Sequence, residues 1–339
     1  MKKMNCLIIG FGRMGERYFK ALKKLGFHNI HIMDKSKNKL KIAGEKYNLE
    51  SKKRHDNFNS CIDLFQPNLA IVSTTADFHK TYVIQLAKKK IKNIIVEKPM
   101  ATSVNDCIKM IRICKKNKVR LAVNHQSRFS NEIKILKKYI FNNRLGELVS
   151  MNVVAGNIGL AMNGIHYIEI FNFLTKNTIN QVNASLEKKF VKSPRGKKFR
   201  DRSGHVIAKN NFGQTLYLNI SSKQGHGKNV IYTFKNGNIF ISELDGFLWS
   251  SIRNKKYFNL STSLYAMPSN KKSIKFKSSD IVYTTKQSIQ SLLKNKNYTN
   301  GNDALAAVKV LVAAVESARA NSKTKKINNI NNNKNFPWA

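Results

Sequence analysis

Long apolar runs are missing from this chain. Nowhere do the roughly 20 consecutive apolar residues of a membrane helix occur, so no membrane association is expected. The first apolar run, Cys6-Leu7-Ile8-Ile9, follows basic residues but stops at Gly10 without a small-residue cleavage site, and it reads as a strand rather than a secretory signal. Cysteine is scarce as well. Cys6, Cys61, Cys107 and Cys114 form no Cys-x-x-Cys pair and have no histidines at metal-ligand intervals, which argues against a bound metal and for a reducing, cytoplasmic compartment. Acidic residues are few: 19 Asp and Glu face 61 Lys and Arg, for a formal charge of +42. Such an excess suits polyanions, yet the lysines recur along the whole chain, as at 88–90, 115–118, 134–138 and 188–198, without a basic face interleaved with stacking aromatics. With Asn and Ile also abundant, the pattern is that of an AT-rich coding sequence with solvated lysines. No specific nucleic-acid partner is expected.

What is present is enough for a large core, since 339 residues with 42% hydrophobic content suggest about two domains. Up to about residue 123, short apolar segments at 5–10, 29–34, 69–74, 93–97 and 120–124 alternate with helical patterns at 15–25, 78–88 and 104–116. This alternation predicts a parallel sheet with right-handed crossovers, an α/β half. Beyond residue 150, strand-like segments at 181–186, 214–221, 230–234 and 238–242 succeed one another, with a hairpin turn at Asn236-Gly237. They predict an antiparallel sheet in an α+β half. A closing helix is expected at 303–320, with Leu305, Val308, Leu311, Val312 and Val315 on one face, followed by an Asn- and Lys-rich tail at 321–335 that reads as loose.

Two segments carry chemistry. Gly10-Phe11-Gly12-Arg13-Met14-Gly15 follows an apolar strand and opens an amphipathic helix, the context in which such a turn binds a diphosphate through free helix N–H groups. Gly10 permits the bend, Gly12 admits the phosphate and Gly15 lets helix pack on strand. Asp34 closes the second strand where an acid can hold the adenosine ribose, favouring NAD; Lys35, Ser36 and Lys37 beside it keep NADP open. The second segment is Ile94 to Ala101, an apolar strand ending in Glu97-Lys98-Pro99, whose proline lacks the N–H to continue a ladder.

The glycine turn, Ser73-Thr74-Thr75-Ala76-Asp77-Phe78-His79, Glu97-Lys98-Pro99, Asn124-His125-Gln126-Ser127-Arg128-Phe129 and Gly164-Ile165-His166-Tyr167-Ile168-Glu169 occur in this order. Together they resemble the Gfo/Idh/MocA oxidoreductase family. Arg144-Leu145-Gly146-Glu147 resembles its passage into a second domain. The resemblance implies an α/β Rossmann domain over 1–123, then an α+β domain over 124–339 whose large, mostly antiparallel sheet often makes the interface of a homodimer or homotetramer. It implies Gly10, Phe11, Gly12, Arg13, Met14, Gly15, Asp34, Thr74, His79, Glu97 and Lys98 at the cofactor. Lys98 would also stabilise the reacting oxygen, and His166 would carry the proton. Arg128, Asn163 and Glu169 would face substrate. His79 could equally cap a helix, Arg128 brace the domain junction, and His166 be a buried structural residue. One departure stands out: the family's aspartate four residues before the histidine is Met162 here, and methionine cannot orient an imidazole by a charged hydrogen bond.

The function expected is hydride transfer between nicotinamide and a hydroxyl or carbonyl carbon of a sugar, nucleotide sugar or cyclitol. An NAD(P)-binding regulator with eroded catalysis and an NAD-dependent redox-neutral glycosidase are the alternatives.

Overall fold

The structure, a computed structural model, describes residues 4–143, 145–193, 195–261 and 269–338, and its elements are those of the described residues. The chain divides into two units, one of Met1–Gln126, Asp280–Val308 and Asn332–Ala339, the other of Ser127–Ser279 and Lys309–Asn331.

In the first unit the apolar quartets become β1 (Cys6–Ile9), β2 (Ile30–Met33), β4 (Leu69–Val72), β5 (Asn93–Val96) and β6 (Arg120–Val123), with a two-residue edge strand β3 (Arg54–His55). All pair in parallel, in the order β3-β2-β1-β4-β5-β6. Every residue of β1, β4 and β5 is buried, because helices cover both faces of a parallel sheet and leave no polar side. The crossovers are α1 (Arg13–Lys24), α2 (Lys37–Tyr47), α3 (Phe58–Leu64), α4 (Ala76–Lys88) and α5 (Val104–Lys116). Strand β3 escaped the sequence reading because two residues carry no periodicity.

The second unit opens with α6 (Asn131–Asn143) and β7 (Leu148–Ala155), then a π turn at Leu160–Gly164 that runs into α7 (Ile165–Thr175). Next come strands β8 (Ile179–Leu186), β9 (Gly204–Asn210), β10 (Thr215–Ile220), β11 (Asn229–Phe234), β12 (Gly237–Ser242), β13 (Phe247–Arg253) and β14 (Ser269–Lys275). The chain then forms α8 (Ile281–Leu293), α9 (Gly301–Arg319) and the short β15 (Lys325–Lys326). The sheet order is β14-β13-β12-β11-β7-β10-β9-β8-β15, antiparallel throughout except between β7 and β10. Its inner face buries Val206, Leu218, Val153, Val230, Ile241 and Leu248 in register. Tyr139 of α6 reaches Ser250, and Ser317 of α9 accepts from the Ala184 N–H, so helices lie on that side. Among the described residues no helix is long and apolar enough to cross a membrane.

Three expectations need correction. A single boundary at 123/124 misses the chain's return to the first unit: α8 places Ile289 and Leu292 in the cluster that holds Tyr18 and Leu22, and Thr299 accepts from Val123 at the β6 edge. The tail at 321–335 is not loose. Lys325 pairs with Val182, Asn332 accepts from the Asn105 N–H, and Asn333 and Asn335 bond Asn105 and Thr102 before Phe336 and Trp338 are buried. Its asparagines mimic backbone amides, which a reading by composition does not register. In α9, Leu311, Val312, Ala313 and Ala314 are all buried while Leu305 and Val315 are half-buried, so its small side chains replace the expected single stripe by burial on most sides. Arg144 lies outside the described residues.

Candidate active site

The glycine turn divides its labour as backbone sterics demand. Gly10 adopts φ +88°, and a Cβ there would meet the Thr74 nitrogen at 2.9 Å. A Cβ on Gly15 would lie 2.2 Å from the Gly10 carbonyl oxygen, which Ser73 Oγ also approaches, donating at 2.7 Å. Gly12 is different: nothing lies within 4 Å of where its Cβ would be. As the N-cap of α1 it offers no side-chain oxygen, so the first turn carries no side-chain cap, the condition in which a helix start can take a pyrophosphate. Phe11 is buried edge-on against Phe19 and Tyr47, which fixes the turn from behind.

Asp34 is buried at the end of β2 and ties the turn to the sheet. One carboxylate oxygen accepts from the Phe11 N–H at 2.8 Å and the other from the Ser36 N–H at 2.9 Å, while Lys39 stands 3.5 Å away. Its own N–H donates to the His55 carbonyl. Lys35 lies over the Phe78 ring, Ser36 caps α2 and Lys37 pairs with Asp56. Next to this strand end His31 Nδ1 and His55 Nε2 are 2.9 Å apart, and burial first, then His55, pushes the His31 imidazole down to about 4.

The Glu-Lys-Pro segment sits at the end of β5. Glu97 is buried, and its Oε1 accepts from the Tyr18 hydroxyl at 2.9 Å and the Asn124 amide at 2.7 Å. Burial, then the adjoining carboxylate, raises the Tyr18 phenol well above its ordinary range, so it remains a donor. Glu97 thus braces the strand end from inside the unit while Lys98 is half-buried beyond it. The Lys98–Pro99 peptide bond is cis. His79 is buried behind this loop, with Nε2 3.2 Å from the Thr74 carbonyl and Nδ1 3.1 Å from that of Pro99. It therefore links two loops at the sheet's carboxyl edge rather than capping a helix, and Thr74 stands half-buried on one of them.

In the second unit, His166 is the second residue of α7 and buried, directly after the π turn. The side chain of Asn163 donates to the Ile158 carbonyl at 2.8 Å. Arg128 and Glu169 form a buried ion pair, and the Arg128 guanidinium lies 4.2 Å from the Phe173 ring centre. The next residue on α7, Tyr167, donates to Glu243 at 2.9 Å; burial chiefly holds the Glu243 carboxyl up to about 7, with Lys228 opposing and Glu132 adding. Met162 places no carboxylate beside this turn, but its N–H is bonded by Asp201.

Residues 4–125 match the family model described as an oxidoreductase family with an NAD-binding Rossmann fold, Gfo/Idh/MocA. The likeness to the Gfo/Idh/MocA family is thus carried by these residues, a little over a third of the chain. In fold the likeness reaches further: the chain superposes with a TM-score of 0.80 on an oxidoreductase from Agrobacterium radiobacter solved with NAD+, L-tartaric acid and magnesium, at 19% identity and covering 96% of this chain and 99% of that one. Sequence similarity is more local. A 2,7-anhydro-N-acetylneuraminate hydratase of Escherichia coli (strain K12) is 38% identical over 80 residues, 24% of this chain and 21% of that protein. A myo-inositol 2-dehydrogenase of Thermotoga maritima is 28% identical over 141 residues, 41% of each. The matched segments thus span a fifth to two fifths of these curated relatives.

Sequence reasoning missed several positioning groups. Tyr18 was read only within a helical pattern, and Asn124 and Ser73 only as parts of motifs. Each is a polar residue whose partner lies 60 or more residues away, or in Asn124's case 27, and spacing gives no sign of such pairs. Asp201 carried no signal at all.

Proposed function

We propose that this protein is an NAD-dependent oxidoreductase that moves a hydride between nicotinamide and a hydroxyl-bearing carbon of a sugar, nucleotide sugar or cyclitol. The observation that carries the reading is the open space at Gly12 on the uncapped first turn of α1, together with the backbone-held carboxylate of Asp34. These groups fit a dinucleotide: N–H donors for the diphosphate and a carboxylate for ribose hydroxyls. With Lys35, Ser36 and Lys37 engaged by Phe78, the α2 cap and Asp56, NAD is favoured over NADP. Bound NAD supplies the hydride acceptor or donor. Lys98, on a strand end braced by Glu97 and His79, holds the reacting oxygen and stabilises its developing negative charge. His166 takes the hydroxyl proton or returns it, a task suited to an imidazole near neutral pH. The buried pairing of Arg128 with Glu169 favours a bracing role for both over direct substrate contact. The cyclitol in the name of the Thermotoga relative supports a polyhydroxylated ring as substrate.

The test is a fluorescence titration with NADH and NADPH, then a screen of sugars, nucleotide sugars and inositols. Lys98→Ala should abolish turnover and leave NADH affinity unchanged. Full activity in that variant removes Lys98 from the chemistry, and absence of NADH binding removes the reading altogether.

We also propose self-association through the outer face of the second unit's sheet. There Ile207, Tyr217, Ile231, Phe240 and Trp249 succeed one another across β9, β10, β11, β12 and β13, interrupted only by Asn152 of β7. Ile207, Tyr217 and Ile231 are each about two fifths exposed, an apolar row broken once that a monomer would leave in water. Ile231→Lys should then shift sedimentation of the oligomer toward the monomer; a monomeric native protein ends this part of the proposal. All four cysteines are free and buried, with burial raising each thiol, which supports a reducing cytoplasmic setting.

A further inference from the structure

A helix start leaves its first N–H groups without intrahelical partners, and the turn before His166 has an unusual answer. Three successive donors are taken by one distant dipeptide. Leu160 N–H donates to the Arg202 carbonyl at 2.9 Å, Ala161 N–H to Asp201 Oδ1 at 3.0 Å and Met162 N–H to Asp201 Oδ2 at 2.7 Å. The next two, of Asn163 and Gly164, both donate to the Gly159 carbonyl, at 3.1 and 2.9 Å, and the second of these is the π-type bond. Asp201 is itself buried and fixed: its carbonyl accepts from Val191, its Oδ1 accepts from the Arg202 N–H at 2.8 Å, and Ser203 beyond it bonds Asn157. Room for the carboxylate comes from Gly159, whose φ is +69° and whose Cβ, were it present, would lie 2.3 Å from Asp201 Oδ2.

The π turn matters because it sets where His166 points. A π turn inserts one residue relative to α winding, and losing it would rotate α7 by about 100° and shift it by about 1.5 Å. It also means that Met162 and His166, four apart, lack the simple one-turn stacking that counting along a regular helix implies. We propose that Asp201 is a positioning residue for His166: by holding the Ala161 and Met162 N–H groups it keeps the turn in its π form and fixes the start of α7. This rests on the reading of His166 as the proton carrier.

The experiment uses full-length protein with labelled histidine imidazoles, the His166 resonance being assigned by its disappearance in His166→Asn. Asp201→Ala should displace the His166 resonance and lower kcat on the substrate found in the screen by about tenfold or more, with NADH affinity unchanged. Gly159→Ala should reproduce both effects by pushing the carboxylate away. Asp201→Asn keeps an acceptor oxygen for Ala161 and should recover part of the loss; it also replaces Asp201→Ala in the comparison if that variant does not fold. A lower melting temperature with an unmoved His166 resonance and unchanged kcat marks Asp201 as a plain helix cap and overturns the proposal. Full turnover in His166→Asn sinks the proton-carrier reading, whereas an unmoved resonance in Asp201→Ala sinks the positioning role by itself.

Discussion

Asp34 in the first unit and Glu169 in the second are both buried carboxylates, yet the first is held chiefly by backbone N–H groups and the second by a guanidinium. A carboxylate on backbone donors takes its position from the sheet and helix that present them, and its remaining lone pairs can receive a ligand's hydroxyls. One paired with a buried cation depends on a second side chain, and neither charge tolerates losing the other. The glycine turn and its carboxylate are therefore held by main chain. The half expected to meet substrate is built from side chains that hold one another, and changes there should propagate further.

The largest effect should come from breaking the pair. Arg128→Met leaves Glu169 charged and buried and should cost about 3–5 kcal/mol by denaturant unfolding, whereas Arg128→Met with Glu169→Leu should recover most of it. A single variant as stable as the native protein would abolish the contrast between the units. Next come the two glycines of the first unit. Gly15→Ala must displace the Gly10 carbonyl and should cost about 1–3 kcal/mol. Gly12→Ala meets only open space, so stability should hold while NADH affinity falls about tenfold, equivalent to about 1.4 kcal/mol. Equal losses of stability in both would show that Gly12 is structural.

Opposite responses to pH give the finest test. His31, with its imidazole pushed down from 6.5 to about 4, stays neutral in the folded chain while the unfolded chain takes up a proton, so the first unit loses stability as pH falls through that window. Glu243, held up from 4.5 to about 7, keeps in the folded chain a proton that the unfolded chain releases, so the second unit loses stability as pH rises from 4.5 through 7. The chain's two tryptophans, Trp249 and Trp338, fall in different units, so Trp249→Phe and Trp338→Phe separate the signals. Glu243→Gln should flatten the second response and leave the first alone.

How far the sequence could be read obeys the same division. Strands β1, β2, β4, β5 and β6 lie within the segments read as apolar runs, and the glycines behaved as the steric reading required, because parallel sheets and phosphate turns express themselves locally. The second unit hides more. Strand β7 alternates regularly only from Met151 onward, β14 is mostly lysine and serine, and the hairpin read at Asn236-Gly237 turns through Lys235 and Asn236, with Gly237 already in β12 paired with Phe234 and Ile252. The four-residue spacing from Met162 to His166 suggested one α turn and met a π turn. Arg128 and Glu169 were both singled out, but that they would choose each other, 41 residues apart, was written in no pattern of either segment.

The return of α8 and of Phe336 to the first unit has a consequence for how the chain is made. Synthesis delivers β1 to β6 early, yet Ile289 and Leu292, which complete the apolar cluster around α1, leave the ribosome only after strands β7 to β14, and the segment that bonds Thr102 comes later still. Through the synthesis of β7 to β14 the nucleotide half therefore waits with an uncovered apolar flank.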